Sequence, residues 1–389
     1  MTEEFRLAYV SYGDANDNMR ASGVPHYLRR GFDSIASVRI YEINARPQQL
    51  VRLAIKALSF RPVRADWERN YLHGRMLPRA RSWKRSRGVR ALRSPDATLH
   101  VRTWYSPLKS VPYASFIDAT VTMVRGYDDS WALSDRQFAG EVEVEGEFYR
   151  RAVAVYTASR AATRSLIEDY GVDAGKITQV GAGTTLPGLA DLTMQAVADR
   201  FAALNILFVG KDPVRKGLPE LLEGFRLARR AFPGLTLSIV GPSEDAPEYH
   251  AEGVRWFGLV RDKARMAELY AQATVFALPA HRESYGLVVP EAMAYGLPCI
   301  VSDSGELPHL VEHGHDGRVL TEVSPEAIAS AITALLRDFD EYARFAKNAH
   351  VRSNDFSWER IAQMIVDDLA ARIPTQNRTG RRSTTTADE

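Results

Sequence analysis

The sequence predicts an α/β protein of two doubly wound, parallel-sheet domains in tandem. Three observations predict it. Short apolar runs alternate with amphipathic stretches of helical period along most of the chain, as buried strands and their crossover helices do. The alternation lapses between Gly181 and Arg200 and then restarts. A chain of 389 residues also exceeds what one hydrophobic core ordinarily organises.

Taken in order, Arg6 to Ser11 (RLAYVS) reads as a first buried strand, and Ser22-Gly23 precede a helix over Val24 to Phe32. Ser37 to Glu42 reads as a strand and Gln48 to Leu58 as a helix. Phe60 to Arg102 is less regular and strongly basic. Tyr113 to Asp118, Ala152 to Tyr156 and Lys176 to Gly181 then read as strands, with a helix from Ser159 to Tyr170 between the last two. In the second half, strands are expected at Asn205 to Gly210, Leu235 to Gly241, Val254 to Phe257, Thr274 to Leu278 and Pro298 to Ser302. Helices are expected at Gly217 to Ala231, Arg261 to Gln272, Gly286 to Tyr295, Pro325 to Arg337 and Ser357 to Arg372. The expected domains are residues 1–190 and 200–352, with the helix at about 357–372 packing back on the first. Residues 374–389 are polar and read as a disordered tail. Such sheets bind ligands beyond the carboxyl ends of their strands, so the expected site is a cleft between the domains.

Composition narrows the classes. With 45% hydrophobic and 25% charged residues, the chain is neither wholly disordered, fibrous nor a coiled coil. Its one cysteine, Cys299, forms no internal disulfide and no four-cysteine zinc site; in PCIVSD it reads as an inert core residue. No apolar run reaches membrane-spanning length, and the acidic start MTEEFRLAYVSYG predicts no leader, so the expected location is cytoplasmic. Fifty basic against 48 acidic residues give no footprint for nucleic acid.

Two segments carry chemistry. In FVGKDPVRKG, Phe208 to Gly217, a strand ends, a loop presents Lys211, Arg215 and Lys216, and a helix begins. Cations at the end of a strand suit a polyanion such as a diphosphate; the alternative is a solvated basic loop. In HRESYGLVVPEAMAYGLP, His281 to Pro298, seven residues separate Glu283 from Glu291, and Gly286 stands where a helix is expected to start and its amides to receive a phosphate. Eight steps of helix span about 12 Å at ~1.5 Å per residue, beyond the ~5–9.5 Å of hydrolase carboxylate pairs. The two carboxylates therefore fit opposite ends of an extended ligand, or else a helix cap and a surface acid.

These segments resemble a retaining glycosyltransferase of family 4, whose fold is GT-B and whose E-x7-E signature corresponds here to Glu283 and Glu291. FVGKDPVRKG is similar to that family's phosphate-clamp segment. ASGVPHYLRRGF (Ala21 to Phe32), FIDAT (Phe116 to Thr120) and ASRAATRSLIEDYGV (Ala158 to Val172) extend the likeness into the N-terminal half. The resemblance implies that Lys216, with Lys211 and Arg215, neutralises a nucleotide diphosphate. It implies that Glu291 holds the ribose hydroxyls and Glu283 a hydroxyl of the donor sugar. The amides of Gly286 and Leu287 would receive a phosphate, Gly23 would let donor and acceptor approach the backbone, and Asp118 would lie beside the donor sugar. Glu283, Lys216 and Asp118 are thus the expected catalytic residues. Lys211 stands where arginine is frequent, and Glu306 where a second glycine is common. The implied reaction moves a sugar from a UDP- or GDP-sugar to an acceptor hydroxyl with an α-linked product. It uses no cofactor and no metal, the expectation being that the chain lacks the Asp-x-Asp metal-binding device. The rivals are an epimerase or phosphorylase on the same fold, or a catalytically silent sugar-nucleotide-binding scaffold.

Three features stand outside this reading. From Arg61 to Arg102, twelve arginines and lysines face three acids, with Trp67, Tyr71 and Trp83 interleaved. The stretch reads as a solvated face, or as a peripheral contact with anionic lipid at the inner face of a membrane. His309, His313 and His315 read as a helix end and turn, with no metal. Asn377-Arg378-Thr379 matches a glycosylation acceptor pattern in a chain with no expected route to a secretory compartment.

Overall fold

A computed structural model describes residues 4–15, 23–92, 95–102, 105–125, 133–189, 191–241 and 251–373. The tail from 374, with the Asn377-Arg378-Thr379 pattern, and Ala21-Ser22 lie outside the described residues. The chain divides into two units, Met1–Gly181 together with Trp358–Glu389, and Ala182–Ser357.

In the first unit, β1 (Phe5–Ser11), β2 (Val38–Asn44), β3 (Ala97–Val101), β4 (Tyr113–Ile117), β5 (Ala154–Thr157) and β6 (Ile177–Gln179) form a parallel sheet ordered β2-β1-β3-β4-β5-β6. Its helices are α1 (Val24–Gly31), α2 (Gln49–Leu58), α3 (Arg64–His73), α4 (Met76–Ala91), α5 (Val121–Val124), α6 (Asp135–Arg151), α7 (Arg160–Glu168) and α15 (Trp358–Arg372). The central strands β3, β4 and β5 are buried at every position, because helices cover both faces. The C-terminal helix α15 lies on α1 so closely that a Cβ on Gly31 would stand 2.3 Å from the Trp358 carbonyl oxygen. Only glycine permits that approach.

In the second unit, β7 (Asn205–Val209), β8 (Thr236–Val240), β9 (Val254–Trp256), β10 (Val275–Leu278), β11 (Cys299–Ser302) and β12 (Gly317–Leu320) form a parallel sheet ordered β12-β11-β10-β7-β8-β9. Its helices are α8 (Met194–Ala203), α9 (Leu218–Ala228), α10 (Lys263–Gln272), α11 (Val288–Ala294), α12 (Leu307–Leu310), α13 (Pro325–Leu336) and α14 (Phe339–Ser353). The strand order reverses between β7 and β10, which makes that pair the topological switch point of the sheet.

Several expectations need correction. The basic stretch after Phe60 is regular, holding α3, α4 and β3. Strand β3 escapes a sequence reading because Thr98 and His100 interrupt its apolar run, yet both are fully buried. The lapse before Arg200 contains α8, capped by the Thr193 hydroxyl, which accepts from the Ala196 amide. Helix α6 opens on a capping box of Ser134 and Gln137. Helix α11 begins at Val288, two residues beyond the expected Gly286.

The arginine-rich stretch is not wholly a solvated face either. Arg81 and Arg85 of α4 are buried. The Arg81 guanidinium lies 4.3 Å from the Tyr12 ring centroid and that of Arg85 lies 5.6 Å from the Tyr105 ring. Burial pulls the Arg85 pKa down to about 10, and burial with the Arg85 charge pushes His100 well below its ordinary value.

Candidate active site

The two chemistry-bearing segments are the loops that follow β7 and β10, so the second unit's switch point brings them together. After β7, the chain turns at Gly210 and folds back through amide bonds from Lys216 to the Asp212 carbonyl and from Leu218 to the Pro213 carbonyl. Gly217, at φ +71, caps α9, and a Cβ there would stand 2.0 Å from the Pro279 carbonyl oxygen of the second loop. The bare Gly210 lies under the Lys216 stem: a Cβ would meet Lys216 Cδ at 2.4 Å. The His281 amide donates to the Arg215 carbonyl at 2.9 Å and completes the join.

At this junction Lys216 Nζ donates to Glu283 Oε2 at 2.8 Å, and both side chains are largely buried. Arg215 Nη1 lies 3.8 Å from the same carboxylate oxygen. The Arg215 guanidinium also donates to Asp212 Oδ2 at 3.1 Å and to the Arg282 carbonyl at 2.8 Å, so it ties the loops to each other. Lys211, one residue past Gly210, is exposed. On the other side, the Glu283 amide donates to Ser304 Oγ at 3.1 Å. Gly305 crosses directly over the Glu283 carbonyl at φ +61. An acidic group is thereby held against one or two cations at the end of a central strand.

Glu291 lies in the first turn of α11 and is buried. The Thr185 hydroxyl donates to its Oε1 and the Tyr270 hydroxyl to its Oε2, the latter at 3.1 Å. Lys263 Nζ reaches the Thr185 hydroxyl at 2.8 Å. Burial pushes the Glu291 pKa above the ordinary carboxylate value, while Thr185, Lys263 and Tyr270 pull it back. Gly286, at φ +93, and the half-buried Leu287 form the turn between Glu283 and α11.

The first unit holds the other two expected residues. Gly23, at φ +79, is the N-cap of α1 in the loop after β1. Asp118 follows β4 and accepts from Arg102 Nη2 at 3.0 Å. Arg102 itself has φ +73, an uncommon backbone for a side-chain-bearing residue, at the end of β3. Sequence reasoning missed Arg102, Thr185, Lys263, Tyr270, Ser304 and Gly305. Of these, only Gly305 carried a signal, since a glycine between polar residues after a strand marks a close approach.

Other chemistry resolves to structure. Glu306 is buried as the N-cap of α12. Cys299 is buried, and burial holds its thiol well above the ordinary value. Among the described residues, Glu312, His315 and Asp316 have donor atoms within 4.8 Å of one another, a spacing that admits a metal ion. Arg352 already approaches the two acids at 3.4 and 3.5 Å and supplies a cation there. His313 bonds instead to the Val319 backbone. An Asp-x-Asp tripeptide does occur, Asp338-Phe339-Asp340, but it opens α14, where Asp338 accepts from the Glu341 amide at 2.7 Å.

Comparison with known proteins bears on this geometry. Residues 203–338, which include both loops, match the family model described as Glycosyl transferases group 1. A glycogen synthase of Mycobacterium tuberculosis is 27% identical over 285 residues, spanning 69% of this chain and 67% of that protein. A D-inositol 3-phosphate glycosyltransferase of Xylanimonas cellulosilytica is 29% identical over 252 residues, spanning 59% of this chain and 60% of that protein. Among solved structures, sucrose-phosphate synthase from Thermosynechococcus elongatus superposes with a TM-score of 0.64 at 20% identity, covering 94% of this chain and 98% of the other. Anabaena Alr3699/HepE, solved with UDP and glucose, gives 0.60 at 16% identity over 95% of this chain and 100% of the other. The fold is GT-B, and the chain is a transferase enzyme of the glycosyltransferase kind. No helix among the described residues is long and apolar enough to cross a membrane.

Proposed function

We propose that the enzyme is a retaining glycosyltransferase that moves a sugar from a nucleotide-diphosphate sugar, a UDP-sugar foremost and a GDP-sugar second, to an acceptor hydroxyl. The observation that carries the reading is the 2.8 Å pair of Lys216 and Glu283 joining two loops at a switch point. Breaking the sugar–phosphate bond leaves positive charge on the sugar carbon and negative charge on the departing diphosphate oxygen. In this reading Lys216, with Lys211 of the same loop, meets the leaving charge, and the amides of Gly286 and Leu287 receive a phosphate oxygen. Lys216, held by Glu283, acts there without having to reorganise during the reaction, so the reading requires no metal.

Glu283, held by Lys216 and Ser304, is rigid enough to accept a hydrogen bond from a hydroxyl of the donor sugar. Glu291 would receive the ribose hydroxyls, exchanging the Thr185 and Tyr270 donors for those of the ligand. Gly23 would allow close approach at the first βα loop, and Asp118, oriented by Arg102, would contact the sugar. The E-x7-E spacing and the resemblance to family 4 support retention, hence an α-linked product from an α-linked donor.

The test is donor hydrolysis without acceptor, in chelator, across UDP-, GDP- and ADP-sugars, with the released sugar followed by NMR before it mutarotates. Release of one nucleotide with the α anomer first is expected. A first-formed β anomer, or release only on adding a divalent cation, would contradict the reading.

A further inference from the structure

Helix α2 carries its apolar stripe on the outside. Leu50, Val51, Leu53 and Leu58 are all exposed, Leu50 at 80% and Leu58 at 72%, and only Ile55 of the helix is buried. Leu50, Val51, Ala54, Ala57 and Leu58 repeat at the spacing of one helical face, which in a globular protein ordinarily turns to the core. Phe60 and Val63, both 58% exposed, continue the surface beyond the helix. The polar flank of α2 is the side that the chain covers: Trp67 Nε1 of α3 donates to the Lys56 carbonyl at 2.7 Å, and Asn70 Nδ2 donates to the Ser59 carbonyl at 2.8 Å. Lys56 Nζ lies over the Trp67 ring at 5.1 Å.

The surroundings are cationic. Residues 46–92 hold thirteen lysines and arginines, of which Arg81 and Arg85 are buried, against two acids, Asp66 and Glu68, and each acid has an arginine partner on α3. Arg61 and Arg64, next to the apolar surface, are exposed.

We propose that the outer face of α2, with Phe60 and Val63, docks on an anionic lipid bilayer. A helix lying in the headgroup layer buries an apolar face of this kind while basic neighbours meet the lipid phosphates. The charge argues against a second copy of the chain as the occupant, since a symmetric contact would bring two strongly basic surfaces together. The lipid contact then centres on an apolar helix that the basic stretch flanks, and it needs nothing from the donor site.

Flotation of the full chain with vesicles of phosphatidylcholine alone, or of an equal mixture with phosphatidylglycerol, tests it. Binding to the anionic vesicles at least about tenfold above the neutral ones is expected, falling as salt rises. The triple variant Leu50→Glu, Leu53→Glu, Leu58→Glu should lower binding at least about tenfold. Arg61→Glu with Arg64→Glu should do the same, with unfolding temperatures unchanged in both. Equal binding to both vesicles, no binding to either, or wild-type binding by the triple variant would overturn the proposal. So would a dimer in light scattering that the triple variant dissolves, which would assign the face to a second copy.

Discussion

Substituting Gly305 by alanine should disable the site without removing any group proposed to contact the donor. The Cβ would stand 1.7 Å from the Glu283 carbonyl oxygen, whereas real Cβ contacts essentially never fall below 3.0 Å. The two segments must therefore part by about 1.3 Å, the gap between those values. Alanine at φ +61 adds roughly 1–2 kcal/mol of backbone cost. The displacement falls on the residue whose carboxylate meets Lys216 at 2.8 Å. Misplacing a positioning element by about 1 Å costs on the order of 10² in rate. Gly314→Ala is the matched control, because Gly314 has φ +80 and nothing within 4 Å of the added carbon. Nucleotide release from the donor, measured beside thermal unfolding, should show Gly305→Ala slowed about 10²-fold. Gly314→Ala should lose only a degree or more of stability. Full turnover in Gly305→Ala, or an equal loss in Gly314→Ala, would refute the reasoning.

Three further outcomes follow from the same geometry. Lys216→Met should slow nucleotide release by about 10²–10³, while Glu283→Gln should reduce turnover more than donor affinity; calorimetry with steady-state rates separates the two, and unchanged turnover in both would remove the pair from the reaction. Burial holds the Glu291 pKa above its ordinary value, so the unfolded chain releases that proton first and stability from this group falls as pH rises from the ordinary value to the raised one. Melting curves of Glu291→Gln and wild type from about pH 4 to about pH 7 should therefore shift in the variant's favour as pH rises, and a constant difference would contradict the burial argument. Gly31→Ala should cost about 1–3 kcal/mol by forcing α1 off α15, and an unchanged unfolding midpoint would show that the helices can part freely.

The parts of this protein that a sequence makes legible are those set by local pattern. Strands such as NILFV and VFAL read correctly because helices cover both faces and the apolar run is unbroken. Strand β3 does not, because a buried Thr98 breaks its apolar run and a buried His100 finds a tertiary partner, the Ala114 carbonyl, that no local rule supplies. Helix α8 follows a stretch rich in glycine and proline, so its Thr193 cap is the only local signal for its start. In the candidate site, Lys216, Glu283 and Glu291 stand out by residue type and spacing. Their supports, Thr185, Tyr270, Lys263 and Ser304, arrive from segments 20 to over 100 residues away, and only the fold brings them near. Helix α2 shows the opposite limit: its period announces a helix and says nothing of which face meets water.

The most direct measurement of the central claim is calorimetric titration of UDP, with GDP in parallel, into the full chain in chelator. The account predicts metal-free binding of one nucleotide by wild type, weakened at least about tenfold in Glu291→Ala, where the carboxylate proposed to receive the ribose hydroxyls is gone. Binding that depends on an added divalent cation, or that Glu291→Ala leaves intact, would contradict it.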